Sequence, residues 1–122
     1  MPKKLKLLVV DDEDSLRLLV HDELVNSGYQ VDTAESGERA LELIAEKKFD
    51  IVILDIRMPG IDGLEVLKHI REEGIKSKVI LLTGVNELKI ARDSLELGAD
   101  DFLMKPYDFR TLKACLERVV KE

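Results

Sequence analysis

The chain has no excess of positive charge. It carries 19 lysines and arginines against 25 aspartates and glutamates, a formal net charge of −6. That balance argues against direct nucleic-acid binding, which needs a clustered basic surface. There is one cysteine, Cys115, so no disulfide can close within the chain; it falls inside an amphipathic helical pattern and reads as packing. The two histidines, His21 and His69, stand alone without metal-ligand spacing and read as solvated surface positions. No apolar run is long enough for a leader or a membrane span, because Lys3, Lys4 and Lys6 are followed only by a short stretch ending at Val10. The expectation is a cytoplasmic protein without membrane contact. No linker, repeat or low-complexity tract interrupts the sequence, so no output domain is expected on it.

What is present is a globular profile: 122 residues, 45% hydrophobic and 36% charged. That is enough for one domain with a core and too little for two, so residues 1–122 are expected to form a single domain. Five short apolar runs recur, Leu5 to Val10, Tyr29 to Thr33, Ile51 to Leu54, Val79 to Leu82 and Phe102 to Met104, each of strand length. Helically spaced sets lie between and after them: Leu16/Leu19/Val20/Leu24, Ala40/Leu41/Ile44, Leu64/Leu67/Ile70, Leu88/Ala91/Leu95 and Phe109/Leu112/Leu116/Val119/Val120. Ser36, Asp62 and Asp108 are placed to start helices, and Gly28, Gly74 and Gly98 to end them. Right-handed crossovers turn five such units into a doubly wound α/β sheet, (βα)5, of order 2-1-3-4-5. Runs one, three and four are continuously apolar, as central parallel strands should be, whereas run two alternates like an edge.

The winding reverses between strands one and three, and the reversal opens a crevice at their C-terminal ends. Asp11 and Asp12 end the first of these strands and Asp55 the second. An acidic run such as Asp11-Asp12-Glu13-Asp14 is ordinarily solvated, and it suits a helix N-terminus. The topology is what sets it beside Asp55. Three converging carboxylates repel one another unless a proton or a cation intervenes. Few carboxylates, with room for waters and a phosphate oxygen, describe Mg²⁺ better than a Ca²⁺ cage. Lys105 follows the fifth strand and can bring its ammonium to the same crevice, leaving a formal −2 that one Mg²⁺ neutralises. Thr83 ends the fourth strand and can present a hydroxyl to a phosphoryl oxygen.

Taken in order, Val9-Val10-Asp11-Asp12, Asp55-Ile56-Arg57-Met58-Pro59-Gly60-Ile61-Asp62-Gly63, Leu82-Thr83 and Gly98-Ala99-Asp100-Asp101-Phe102-Leu103-Met104-Lys105-Pro106 carry a resemblance. Over essentially the whole chain, the sequence resembles the receiver domain of two-component response regulators, a flavodoxin-like fold. The resemblance implies that Asp55 accepts a phosphoryl group from a phosphohistidine on a sensor histidine kinase. It implies that Asp12, Asp55 and the backbone carbonyl of Arg57 bind Mg²⁺, with Asp11 holding it through water. Thr83 and Lys105 then support the transfer, Thr83 and Phe102 act as the switch, and Lys105-Pro106 is a cis peptide. Ser15, Leu16 and Leu19, with Pro106 and Tyr107, are assigned to docking on the kinase.

The output surface implied is helix four, strand five and helix five. Ala91, Thr111 and Cys115 stand where winged-helix relatives carry the charges that pair in a dimer, so that dimer mode is not expected, and the reading is a stand-alone regulator acting by protein contact, not an enzyme. It would be a monomer or a weak phosphorylation-dependent dimer, signalling to a downstream protein or a phosphotransferase. Arg57 and Val85 flank the expected path of hydrolytic water and are expected to set phosphoryl lifetime. Three rivals fit less well. An aspartyl-phosphate hydrolase would carry a second acid where Arg57 stands, and a nucleotide-binding relative would replace Asp11-Asp12-Glu13-Asp14 with a glycine-rich cradle. A phosphorylation-independent interaction module would have no use for the complete set of Asp11, Asp12, Asp55, Thr83 and Lys105.

Overall fold

The computed structural model describes residues 4–121; Lys3, read above with its basic neighbours, lies outside them. Strands and helices alternate as β1 (Lys6–Val10), α1 (Asp14–Asn26), β2 (Gln30–Ala34), α2 (Gly37–Glu46), β3 (Ile51–Asp55), α3 (Gly63–Glu72), β4 (Lys78–Thr83), α4 (Leu88–Ser94), β5 (Asp101–Met104) and α5 (Phe109–Val120). A short 3₁₀ turn, Val85–Glu87, leads into α4. The strands form one parallel sheet of order β2-β1-β3-β4-β5, as the crossover rule requires.

Side chains along a strand alternate between faces, and here the alternation sorts the apolar residues into two cores. Leu8, Val10, Val52, Leu54, Val79 and Leu81 meet residues of α2, α3 and α4. Leu7, Val9, Ile51, Ile53, Ile80 and Leu82 meet residues of α1 and α5. Each fully buried aliphatic side chain contributes about 1.5–3 kcal/mol, which is why unbroken apolar runs settle at the sheet centre. The helices are anchored unequally. Helix α5 buries Leu112, Cys115, Leu116 and Val119, whereas α4 buries only Ala91 and Ser94.

Local signals set the boundaries. The side chain of Ser36 accepts from the Arg39 amide, and Asp108 accepts from Thr111. Asp62 and Glu65 form a reciprocal capping box at α3. Gly28, Gly74 and Gly98 all have positive φ, as expected of residues that end helices. Two details of the apolar pattern are corrected. Leu95 lies beyond the end of α4 and is 42% exposed, because the chain turns there toward Gly98, with the Ala99 amide donating to the Ser94 carbonyl. Val120 faces solvent, while Cys115, read above as packing, is buried within the α5 stripe.

Candidate functional site

The ladder continues past the apolar runs and carries polar residues to the strand tips. Asp55 is the last residue of β3, opposite Leu82, and Thr83 the last of β4, opposite Met104. Asp11 directly follows β1, its amide donating to the Ala34 carbonyl at 3.1 Å. Glycine makes the crowding behind Asp55 possible: a Cβ on Gly63 would stand 2.3 Å from the Asp55 carbonyl oxygen. Helix α3 thus begins directly against the end of β3.

Four of the five expected residues converge. Lys105 Nζ donates to Asp55 Oδ2 at 2.7 Å and lies 3.6 Å from Asp11 Oδ2. The other Asp55 oxygen accepts from the Arg57 amide at 3.2 Å. Asp11 Oδ1 accepts from the Glu13 amide at 2.9 Å, and the buried Asp11 Oδ2 has no hydrogen-bond donor. Carboxylate oxygens of Asp11, Asp12 and Asp55 lie within 4.8 Å of one another, with Asp12 exposed and the other two buried. An orphaned oxygen in a three-carboxylate cluster fits a hard divalent cation such as Mg²⁺, which takes one or two carboxylates and keeps several waters.

Electrostatics reflect the crowding. Burial pushes the Asp55 carboxyl above its ordinary value, with Asp11 adding to the effect, while the hydrogen bond and charge of Lys105 oppose it. Burial works against the Lys105 charge, but the hydrogen bond and charge of Asp55, then Asp11 and Glu13, hold its pKa above the usual lysine value.

Thr83 is buried at its strand end, and its hydroxyl donates to the Gly84 carbonyl at 3.0 Å rather than to Asp55. Its own carbonyl accepts from the Lys105 amide at 2.7 Å, so the two residues are held side by side. The Lys105-Pro106 peptide is cis. Phe102 is partly buried against the core on the α4 side of the sheet.

The docking candidates divide. Ser15, Leu19 and Pro106 are exposed, while Leu16 leans on the α1–α5 core. Leu18, which the apolar spacing did not single out, is exposed by 62% beside Leu19 at 55%. The Tyr107 hydroxyl is buried, so only part of that residue can meet a partner. Burial first, then the charges of Asp11, Asp55 and Glu23, push its pKa up to about 12. At the opposite end of β5, its first residue, Asp101, pairs with Arg118 of the same chain and accepts from the Cys115 thiol at 3.4 Å. Sequence reasoning also missed an ion pair between Arg57 and Glu87, 3.3 Å apart. No spacing rule announces it, because it depends on how two loops from different strands fold together.

Comparison with known proteins agrees with this geometry. A family model described as "Response regulator receiver domain" matches residues 7–117. The chain is 39% identical over 116 residues to the alkaline phosphatase synthesis transcriptional regulatory protein PhoP of Bacillus subtilis, covering 95% of this chain and 48% of that protein. It is 34% identical to sporulation initiation phosphotransferase F of Bacillus subtilis, covering 93% of this chain and 91% of the relative. Among curated relatives such as PhoP and the Escherichia coli regulatory protein AtoC, it spans half the length or less. The solved chemotaxis response regulator CheY4 of Vibrio cholerae superposes with a TM-score of 0.89 at 33% identity, over 96% of this chain and 99% of that one. With the acidic crevice, the sheet order and the family match all spanning the same residues, the chain belongs to the receiver domains of two-component response regulators.

Proposed function

We propose that this domain takes a phosphoryl group onto Asp55 from the phosphohistidine of a sensor histidine kinase and transmits the event through α4, β5 and α5. The observation that carries this reading is the Asp55 carboxylate itself. It ends a wholly buried strand, is gripped by Lys105 at 2.7 Å, and faces Asp11 and Asp12. Such a carboxylate is shielded from bulk water, oriented at both oxygens and set among charges that suit phosphoryl transfer.

Asp11, Asp12, Asp55 and the Arg57 backbone carbonyl would hold Mg²⁺. When bound, the ion supplies positive charge to the phosphoryl oxygens and offsets repulsion among the carboxylates. Lys105 keeps Asp55 ionised against its burial, so that the carboxylate can attack, and then stabilises charge on the transferred group. Phosphorylation adds charge and acceptor oxygens beside Thr83. The Thr83 hydroxyl, turned toward the Gly84 carbonyl in the unmodified domain, then gains a stronger acceptor and draws its loop inward. Phe102 follows on the α4 side of β5, changing the face offered to a downstream protein or a phosphotransferase.

Ser15, Leu16 and Leu19, with Pro106 and the exposed part of Tyr107, form the kinase-facing rim. The domain works as a signalling acceptor, limited to its own phosphorylation and dephosphorylation. It acts as a monomer or a weak phosphorylation-dependent dimer. Incubation with Mg²⁺ and a small phosphodonor, followed by intact mass, tests the reading. One phosphoryl group is expected on the unaltered chain and none on Asp55→Asn; equal uptake by both sinks the assignment.

A further inference from the structure

We propose that the Arg57–Glu87 ion pair is a clasp that holds the turn after Thr83 against the loop after Asp55, and that phosphorylation of Asp55 opens it. The proposal rests on Asp55 being the phosphoacceptor. Arg57 Nε stands 3.3 Å from Glu87 Oε1, with the Glu87 side chain 12% exposed and that of Arg57 78% exposed. The pair joins the segments that follow β3 and β4, the two strands that carry Asp55 and Thr83.

Both ends of the clasp are wired to the site. The Arg57 amide donates to Asp55 Oδ1 at 3.2 Å, so its side chain is rooted beside the acceptor. The Glu87 carboxylate folds back over Gly84, where a Cβ would meet Oε1 at 3.3 Å. The Glu87 amide donates to the Gly84 carbonyl at 3.1 Å, the same oxygen that receives the Thr83 hydroxyl. Glu87 immediately precedes α4, the helix with the fewest buried side chains among α2 to α5.

A carboxylate this shielded needs a counter-charge, whereas Arg57 is solvated and free to turn. A phosphoryl group on Asp55 brings close to two negative charges and three acceptor oxygens next to the root of Arg57. Guanidinium binds phosphate through paired hydrogen bonds and prefers it to a single-contact carboxylate. As Arg57 turns to the phosphoryl group, Glu87 loses its partner and faces a new like charge. Glu87 swings out as Thr83 turns in, and the first turn of α4 is released.

Hydrogen exchange at the Glu87 amide and the following α4 amides, combined with intact mass, tests this on Arg57→Gln, Glu87→Gln and the double variant. In unphosphorylated protein each single variant should speed exchange there about twofold to fivefold, the range open to a partly exposed ion pair, and the double variant no further. Phosphorylation should speed the same amides in the unaltered chain but add nothing in Glu87→Gln, an outcome that a merely structural ion pair would not give. Unchanged exchange in the single variants, additive effects in the double, or phosphorylated wild-type protein with unchanged exchange each overturns the clasp. Absence of phosphate on wild-type protein by mass overturns the phosphoacceptor reading and the release step together. Phosphate uptake without faster exchange overturns the clasp alone.

Discussion

Lys105 serves two buried carboxylates at once. Its ammonium lies 2.7 Å from Asp55, 50 residues away in the chain, and 3.6 Å from Asp11. One cation facing two anions leaves the site short of positive charge, and the stability of the domain should register that shortage.

Replacing Lys105 by Met removes the nearest counter-charge of both acids. Breaking a fully buried pair costs about 3–5 kcal/mol, but Lys105 keeps 28% of its side-chain exposure, so about 1–3 kcal/mol is expected without divalent ions. Mg²⁺ at a hundredfold excess over its dissociation constant should return about 2.7 kcal/mol. Urea unfolding with and without Mg²⁺ reads both effects. A variant as stable as the parent in metal-free buffer would contradict the charge argument.

The pH dependence follows from the raised pKa of Asp55. The ordinary value of an aspartate is 3.8 and burial holds this one above it, so the folded chain holds the proton more tightly. The resulting stabilisation is complete below 3.8 and is lost as pH rises through the folded pKa. In metal-free buffer the parent should therefore gain stability relative to Asp55→Asn as pH falls from neutral into the carboxylate range. Parallel urea titrations of the two proteins measure the difference, and a flat or opposite trend refutes it. Lys105 has the same sign in another window: its raised pKa gives stability that is present below 10.5 and lost at higher pH.

Gly63 tests how tightly Asp55 is backed. An added Cβ would stand 2.3 Å from the Asp55 carbonyl oxygen and 2.9 Å from the Ile56 Cα, both backbone atoms. Gly63→Ala should cost about 1–3 kcal/mol, as overpacking does, and should slow phosphate uptake from a small donor. Gly74→Ala is the control: nothing lies within 4 Å of its Cβ, and its φ of +71° is the strained feature. It should lower stability while leaving the uptake rate unchanged, and equal slowing by both variants would refute the backing role of Gly63.

Much of this was legible from residue order. Unbroken runs such as Ile51 to Leu54 announced central strands, and the crossover rule then placed Asp11, Asp12, Asp55, Thr83 and Lys105 at neighbouring tips. Elements with period and punctuation are readable because each obeys local physics. The direction of the Thr83 hydroxyl, the burial of the Tyr107 hydroxyl and the meeting of Arg57 with Glu87 were not readable. Each depends on the three-dimensional path of a loop, which no periodicity encodes. Leu19 illustrates a middle case: its spacing marked an apolar stripe on α1, but a one-residue rotation decides between core and surface, and it proved 55% exposed.

The light anchoring of α4 has a thermodynamic consequence. Apolar burial stabilises by about 25 cal/mol per Å², and a helix fixed by Ala91 and Ser94 contributes little of it. In a fold whose parts open at different free energies, α4 is placed among the lowest. Under the proposed function, a single modification at Asp55 resets the position of α4 without endangering the sheet or the opposite core. In that proposed switch, the ceiling on signal strength is set by how little it takes to detach one short helix, with the rest of the domain as the rigid frame against which the detachment is read.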